Sequence, residues 1–254
     1  MFALPDFVAG LPLGEYLTQL SIFVGGSCLV NFWLTTATKG TLMSKDFDGA
    51  PLWNVLMAII YQGVVFPVLI YFSISQYDSL HAHMNSTWAE CPDNCWIRWY
   101  YFVILGYLIK DLVFDFCKPL TVTHHIAGVI YHGGFMFISA GAHAFLVATS
   151  CCEIANVFLN IHVVSMGVGS IAAQRFCLQL ALLVFTVTHA LALYTIYYLC
   201  AHALQRADSD ASRLWTVLVV IASAIVVSLR QHQLMLKWPE HLKREREEAA
   251  EKKA

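Results

Sequence analysis

The sequence predicts an all-α protein that is integral to a membrane. Its 254 residues are 58% hydrophobic and only 13% charged, with a mean hydropathy of +0.62, whereas soluble domains carry about 25% charged residues. A bilayer core of ~30 Å requires about 20 apolar residues per helix. Seven stretches meet this length, at 13–37, 52–75, 97–117, 121–141, 143–167, 175–201 and 213–236. We therefore expect about seven transmembrane helices.

Polar or helix-breaking segments separate these stretches. The breaks are LMSKDFDGAP at 42–51, a polar loop at 76–95, Lys118-Pro119, and QRADSDAS at 205–212. The predicted organisation is a short N-terminal segment at 1–12, a membrane domain at 13–236 and a charged tail at 237–254.

The loop charges predict the orientation, because cytosolic loops carry the excess of lysine and arginine. One side of a seven-span arrangement holds Lys39, Lys45, Lys118, Arg175 and the charged tail. The other side holds Arg98, Arg206 and Arg213. We therefore expect a lumenal N-terminus and a cytosolic C-terminus.

Two features of the 76–95 loop agree with a lumenal location. Asn85 begins an Asn-Ser-Thr acceptor for N-glycosylation, and Cys91 and Cys95 are spaced to form a disulfide in an oxidising compartment. Both are candidate modifications of this loop.

Several functional classes are excluded by composition. A formal net charge of -2 and the lack of a basic patch exclude a nucleic-acid-binding protein. The stretch 213–236 contains no lysine for a retinal Schiff base, which excludes a rhodopsin-like photoreceptor.

Ionisable side chains cluster around the break between the third and fourth stretches. Asp111 and Asp115 are four residues apart and share a helix face, and Lys118 is placed to pair with Asp115. His124 and His125 return to the same depth. These residues are either a functional cluster or interfacial side chains that keep their polar ends in water. Adjacent histidines point about 100° apart on a helix, so the two cannot face one ligand equally.

A second polar feature lies in the middle of the fifth stretch. Glu153 falls near the bilayer centre, where a charge costs roughly 2.5–3.5 kcal/mol. Asn156 and Asn160 follow on the same face. This stripe either lines a wet interior or holds helices together. We expect a polar, cytosol-facing cavity between the third, fourth and fifth stretches. Its predicted lining is Glu153, Asn156, Asn160, Tyr131 and His132.

The sequence does not favour a resident metal or cofactor. His124, His125, Asp111 and Asp115, with His162, offer nitrogen and oxygen ligands. However, these histidines are not spaced to place two imidazoles on one helix face. We expect no metal and no bound cofactor, with acyl-CoA considered only as a substrate.

Three segments together resemble the TLC-domain family of ceramide synthases, TRAM proteins and TLC-domain-containing proteins. They are GYLIKD at 106–111, HH at 124–125 and EIANVFLN at 153–160. The resemblance implies six helices in a barrel around a lipid-sized cavity, with one extra N-terminal span. It also implies an endoplasmic reticulum membrane, with another organellar membrane as the alternative. The HD-x-x-D segment of ceramide synthases is missing here, so the chain more closely resembles the TLC-domain-containing branch.

Three functions follow as hypotheses. The first is a membrane protein that binds a lipid or acyl chain and influences membrane lipid composition. The second is an acyl-CoA-dependent N-acyltransferase, in which the resemblance would make His124 or His125 the base or acyl acceptor, assisted by Asp111 and Asp115. The third is a non-catalytic subunit of a larger organellar complex. Expected partners are membrane lipids, with a second copy of the chain or complex subunits as further candidates.

Overall fold

The structure is a computed structural model, and it describes residues 7–47, 49–92, 94–114, 119–138, 141–168, 171–206 and 210–251. Over these residues the chain is almost entirely helical. The helices are α1 (Leu13–Ala37), α2 (Leu52–Ile60), α3 (Phe66–Ser75), α4 (Leu80–Asn85), α5 (Trp96–Val113), α6 (Pro119–Phe137), α7 (Ala142–Val168), α8 (Ile171–Arg206) and α9 (Asp210–Glu251). Two minimal antiparallel hairpins pair β1 (Phe7–Val8) with β2 (Leu11–Pro12) and β3 (Asp46–Phe47) with β4 (Ala50–Pro51).

Helices α2 and α3 form one continuous run that contains a π-helical turn at Tyr61–Val65. Pro67 lies in the first turn of α3, and proline has no amide hydrogen with which to continue the regular α-helical pattern. The wider turn is a place where a local change of helical pitch re-aims side chains. Here it carries Gln62, whose buried side chain reaches α7.

Five of the described helical segments are long and apolar enough to cross a membrane. They are Leu13–Ala37, Leu52–Ser75, Ala142–Gly167, Ile171–Tyr198 and Arg213–Glu247. The prediction of an all-α protein with apolar, membrane-length helices is therefore confirmed. Helices α5 and α6 fall outside this set, and α5 carries Arg98, Lys110 and Asp111 within its 18 residues. The count of seven spans stays a prediction.

The third and fourth predicted stretches end later than the helices do. Helix α5 ends at Val113 rather than at 117, and α6 ends at Phe137 rather than at 141. Gly141 has a positive φ of 100°, a conformation that glycine adopts without the steric cost of a side chain. The chain therefore turns before α7 begins at Ala142.

The long helices contact one another in a regular order. Helix α5 packs on α6, α6 on α9, α9 on α8, and α8 along the length of α7. Helix α7 in turn packs on the α2–α3 run, and α3 packs on α5. Helix α1 lies to one side of this set, where its long-helix contact is with α5.

The loops gather at two opposite ends of the bundle. At the first end, the amide of Ala9 donates to the carbonyl of Met136 (2.7 Å), and the Trp88 indole donates to the carbonyl of Phe135 (3.1 Å). At the second end, the Phe47 ring lies against Gly167, and Arg175 pairs with Glu245. The N-terminal hairpin and the 76–95 loop therefore share one end, and the 39–51 connection lies at the other.

Close packing of α1 on α5 depends on Gly106. A Cβ atom at this position would lie 2.8 Å from the Ser27 hydroxyl oxygen and 3.0 Å from the Phe23 carbonyl oxygen. Both distances are shorter than van der Waals contact, and Phe23 contributes rigid backbone. Any larger residue must push α1 away.

We predict that Gly106→Ala destabilises the protein by about 1–3 kcal/mol through overpacking. Gly25→Ala is the matched control, because Gly25 is also helical and has no atom within 4 Å of its would-be Cβ. That change should be neutral or stabilising, since alanine favours helix. Thermal unfolding in detergent measures both variants, and equal melting temperatures would contradict this account of the α1–α5 contact.

Candidate functional site

A buried ionic cluster joins α5, α6 and α2. The Lys110 ammonium lies 2.5 Å from Asp111 Oδ1 and donates to Asn54 Oδ1 at 2.9 Å. All three residues are at most 5% exposed. Lys110 also lies 4.8 Å from the ring centroid of Tyr107, which is within range of a favourable cation–π contact. The Lys110–Asp111 pair is thus neutral overall, and Lys110 contacts Asp111, Asn54 and the Tyr107 ring.

His125 completes this cluster from α6. Its Nδ1 atom lies 3.9 Å from Asp111 Oδ2, and the side chain is 7% exposed. The structure therefore brings together two of the predicted catalytic residues, Asp111 and His125. The other predicted acid, Asp115, and its predicted partner Lys118 lie outside the described residues.

His124 points to a different place from His125. Its side chain lines a cavity bounded by α6, α7, α8 and α9. The two imidazole centroids are 5.5 Å apart, with 53° between the ring planes. The expected divergence of the two side chains is present, so a single ligand does not meet both histidines equally.

The α6–α9 cavity combines a few polar groups with an apolar wall. Its volume is about 30 Å³, room for one or two water molecules. The polar lining is His124, Thr149, Glu153, Asn156, His189 and Ser223. Asn156 Nδ2 donates to Glu153 Oε2 at 3.3 Å, and both residues are buried.

The position of this cavity differs from that of the predicted one. We expected it between the third, fourth and fifth stretches, which correspond to α5, α6 and α7. It lies instead among α6, α7, α8 and α9, and α5 contributes none of its lining. On α5, Asp111 is bound by Lys110, which also donates to Asn54 of α2. A cavity among α5, α6 and α7 stays a prediction.

The predicted lining residues divide into two groups. Glu153, Asn156 and Tyr131 line the α6–α9 cavity, but Asn160 and His132 do not. Asn160 donates to Gln62 Oε1 at 2.7 Å and so joins α7 to the π-helical turn. His132 is fully buried among aromatic rings, with the Tyr131 centroid at 4.3 Å and that of Phe145 at 5.7 Å.

A third polar group lies at the first end of the bundle. His83 and His143 are fully buried with ring centroids 5.1 Å apart. His83 Nε2 hydrogen-bonds to the Ser73 hydroxyl (3.0 Å), and His143 Nε2 hydrogen-bonds to the Tyr77 hydroxyl (2.9 Å). Burial lowers the pKa of His83 to about 4, because an apolar environment disfavours the imidazolium form.

The predicted modification sites belong to the same end. Cys91 and Cys95 are joined by a disulfide, with their Cα atoms 5.7 Å apart. Asn85 is half-buried, and its Nδ2 donates to the His81 carbonyl at 2.8 Å while Tyr198 of α8 donates to its Oδ1 at 3.1 Å. A glycan on Nδ2 would require these contacts to open, so glycosylation of Asn85 stays a prediction.

Sequence reasoning missed several residues of these sites. Asn54 and Gln62 are polar residues in the otherwise apolar stretch 52–75, and that isolation was the available signal. His189 in α8 carried the same kind of signal. Ser223 carried none, because a single serine in an apolar helix usually bonds to its own backbone.

Comparison with known proteins gives no relative for the chain. No protein-family model, no curated protein and no solved structure matches it. Within the part of the chain that the structure describes, no three His, Cys, Asp or Glu side chains are grouped to hold a metal ion.

We predict that Lys110→Met and Asp111→Leu each destabilise the protein by about 3–5 kcal/mol, because each leaves an uncompensated buried charge. The double variant should recover most of that loss. Lys243→Met is the control, since Lys243 forms an exposed pair with Glu247 and should change stability by less than about 0.5 kcal/mol. Unfolding in mixed detergent micelles measures all four, and additive losses in the double variant would contradict the pairing.

We predict that His83 makes stability depend on pH. The folded-state pKa of about 4 is below the ordinary value of 6.5, so on acidification the unfolded chain binds this proton first. The stabilisation is complete above about pH 6.5 and is lost as the pH falls toward about 4, on the order of 3 kcal/mol in all.

His83→Gln should flatten this part of the stability–pH curve, because glutamine can still bond to Ser73 but does not titrate. The exposed His81 supplies the control variant, His81→Gln. Parallel curves for wild type and His83→Gln would show that His83 is not buried as a neutral imidazole.

Proposed function

We propose that the chain is a seven-span, TLC-type membrane protein that binds a lipid or acyl chain and influences membrane lipid composition. The observation that carries the proposal is the α6–α9 cavity. It places Glu153 and Asn156 inside apolar helices and continues along an apolar wall of Ala148, Ala192, Ile196, Val226 and Val227. A cavity that is polar in one part and apolar in another suits an amphiphile.

Seven spans are proposed because α5 and α6 have the length of a span. Their 18 and 19 residues correspond to about 27–29 Å of helix, against a bilayer core of ~30 Å. Their lower hydropathy has a physical source, since residues such as Lys110, Asp111 and His125 are buried in the bundle rather than exposed to lipid. Intramembrane charges of this kind face the interior and are paired.

The order of helix contacts supports the six-helix barrel. Contacts run from α5 to α6, α9, α8, α7, the α2–α3 run and back to α5. A closed sequence of this kind is what a ring of six spans requires. Helix α1, packed on α5 outside the ring, matches the extra N-terminal span that the TLC resemblance implies.

A lipid requires more room than the α6–α9 cavity provides. At about 30 Å³ the cavity admits water but no acyl chain. Binding therefore includes separation of α8 and α9 from α7.

We place the protein in the endoplasmic reticulum membrane with its C-terminus in the cytosol. The N-terminal hairpin, the 76–95 loop and its disulfide share one end of the bundle, which we take as lumenal. The basic residues Lys39, Lys45 and Arg175 lie toward the other end, as the positive-inside bias requires.

Acyl transfer is the second candidate, and one contact favours it. His125 Nδ1 lies 3.9 Å from Asp111 Oδ2, which is longer than a hydrogen bond. If substrate binding shortened this distance, the carboxylate would orient the imidazole as a base. The imidazole would take a proton from the amine substrate while the amine nitrogen attacks the carbonyl carbon of the thioester. The carbon–sulfur bond would then break, and CoA would leave with that proton.

The experiment offers purified protein an acyl-CoA and a long-chain amine, and separately measures lipid retained on the protein by native mass spectrometry. We expect retained lipid in the wild type, at least tenfold less in Glu153→Gln, and no release of CoA. The exposed His81→Ala variant is the control for both readouts.

If the wild type releases CoA and the His124→Ala/His125→Ala variant does not, acyl transfer rather than lipid binding is the function. A folded wild type that retains no lipid and releases no CoA would overturn both proposals and favour a non-catalytic subunit of a larger complex.

A further inference from the structure

We propose that the Cys91–Cys95 disulfide is redox-active and oxidises dithiols, with Cys91 as the cysteine that an incoming thiolate attacks. The two cysteines differ in exposure, because Cys91 is partly exposed whereas Cys95 is 1% exposed. Glu90 and Pro92 on either side of Cys91 are exposed as well. A thiolate in solution therefore has access to Cys91 but not to Cys95. The proposal does not depend on lipid binding.

Two side chains contact the Cys91 sulfur from inside the bundle. The Tyr77 hydroxyl donates to Cys91 Sγ at 3.9 Å, and His143 Nε2 lies 4.0 Å from the same atom. The Tyr77 hydroxyl oxygen and His143 Nε2 are in turn 2.9 Å apart. A hydroxyl has one hydrogen, so when Tyr77 donates to the sulfur, His143 Nε2 supplies the hydrogen between the two side chains. His143 and Tyr77 thus form a chain of donors directed at Cys91.

These donors favour the reduced form of the disulfide. Contacts near 4 Å are weak for a neutral disulfide sulfur. They shorten and strengthen when Cys91 becomes a thiolate, because hydrogen bonds to an ionised acceptor are about twice as strong as neutral ones. A stabilised thiolate is also the better leaving group in thiol–disulfide exchange. The equilibrium therefore shifts from the disulfide toward the dithiol.

The loop is held in place by contacts that do not involve the disulfide. The Gln76 side chain donates to the Asn94 carbonyl and accepts from the Trp96 amide, so it holds the chain on both sides of the second cysteine. The Trp88 indole donates to the Phe135 carbonyl. The disulfide spans only four positions, and a small closed loop gives less entropic stabilisation than a large one. Opening the disulfide therefore leaves the fold in place.

The exchange balances in two steps. A thiolate of the dithiol forms a bond to Cys91 Sγ while the Cys91–Cys95 bond breaks, and Cys95 leaves with the electron pair and takes a proton from solvent. The second thiolate then attacks the dithiol's own sulfur in the mixed disulfide, and Cys91 leaves as a thiolate. The dithiol loses two electrons and the protein gains two. A low-molecular-weight disulfide, such as oxidised glutathione, reoxidises the protein by the reverse exchange.

The test equilibrates the full chain in detergent with mixtures of reduced and oxidised glutathione and then alkylates the free thiols. Peptide mass spectrometry assigns the label, because the chain has eight cysteines. We expect Cys91–Cys95 to open and close reversibly while the protein stays folded. In the reduced protein, Cys91 should be alkylated at least tenfold faster than Cys95. A reduced dithiol peptide should then be oxidised over repeated turnovers with oxidised glutathione as the terminal oxidant.

Tyr77→Phe keeps the ring and removes the donor to sulfur. It should shift the glutathione equilibrium toward the disulfide about tenfold, the effect of losing one hydrogen bond to a charged group. Tyr71→Phe makes the same chemical change at an exposed position of α3 and should leave the equilibrium unchanged. Cys95→Ala should retain glutathione as a mixed disulfide at Cys91, whereas Cys91→Ala should form none at the buried Cys95. Tyr77→Phe keeps the proposal testable if a cysteine variant fails to fold.

Three results would overturn the proposal. One is a disulfide that stays closed in every glutathione mixture and opens only when the protein unfolds, which would make it a structural bridge. Another is the same glutathione equilibrium for the wild type and Tyr77→Phe, which would show that the donors do not act on the sulfur. The third is Zn²⁺ binding by the reduced protein without oxidation of the dithiol peptide, which would assign the two thiols to a metal site.

Discussion

The structure depends on satisfying polar side chains inside helices whose outer surfaces are apolar. Exposed Trp33, Tyr71 and Leu183 suit a lipid environment, and in that environment the driving force for helix association is close packing and interhelical hydrogen bonding rather than removal of apolar surface from water. The Lys110–Asp111–Asn54 cluster and the Asn160–Gln62 hydrogen bond are therefore more than local details. They join the α2–α3 run to α5 on one side and to α7 on the other.

The same constraint explains why the two adjacent histidines have different surroundings. Helical geometry separates their directions, and each direction meets a different polar partner group. His125 faces the neutralised pair on α5, whereas His124 faces the cavity that contains Glu153. One dipeptide thus touches both polar regions of the bundle. A change in the separation of α5 and α6 would therefore move both histidines, since they are adjacent on the backbone of α6.

The two ends of the bundle are built differently. At the first end, the disulfide, buried aromatic rings and two neutral histidines fix the 76–95 loop against α6 and α7. At the second end, Arg175 forms a partly exposed ion pair with Glu245, which also lies 3.3 Å from the buried His241.

The sequence by itself determined the all-α class, the approximate helix positions and the residues that are polar within apolar stretches. Local composition and periodicity are enough to predict these features, and they identified both Glu153 and Asp111 as polar residues within apolar stretches. The tertiary structure decided which helices are neighbours and therefore which polar groups meet. Asn54 reaches Lys110 across 56 positions and Gln62 reaches Asn160 across 98, separations over which no local pattern carries a signal. For the same reason the cavity lies among α6, α7, α8 and α9, because the direction of each side chain depends on helix packing that one helix alone does not specify.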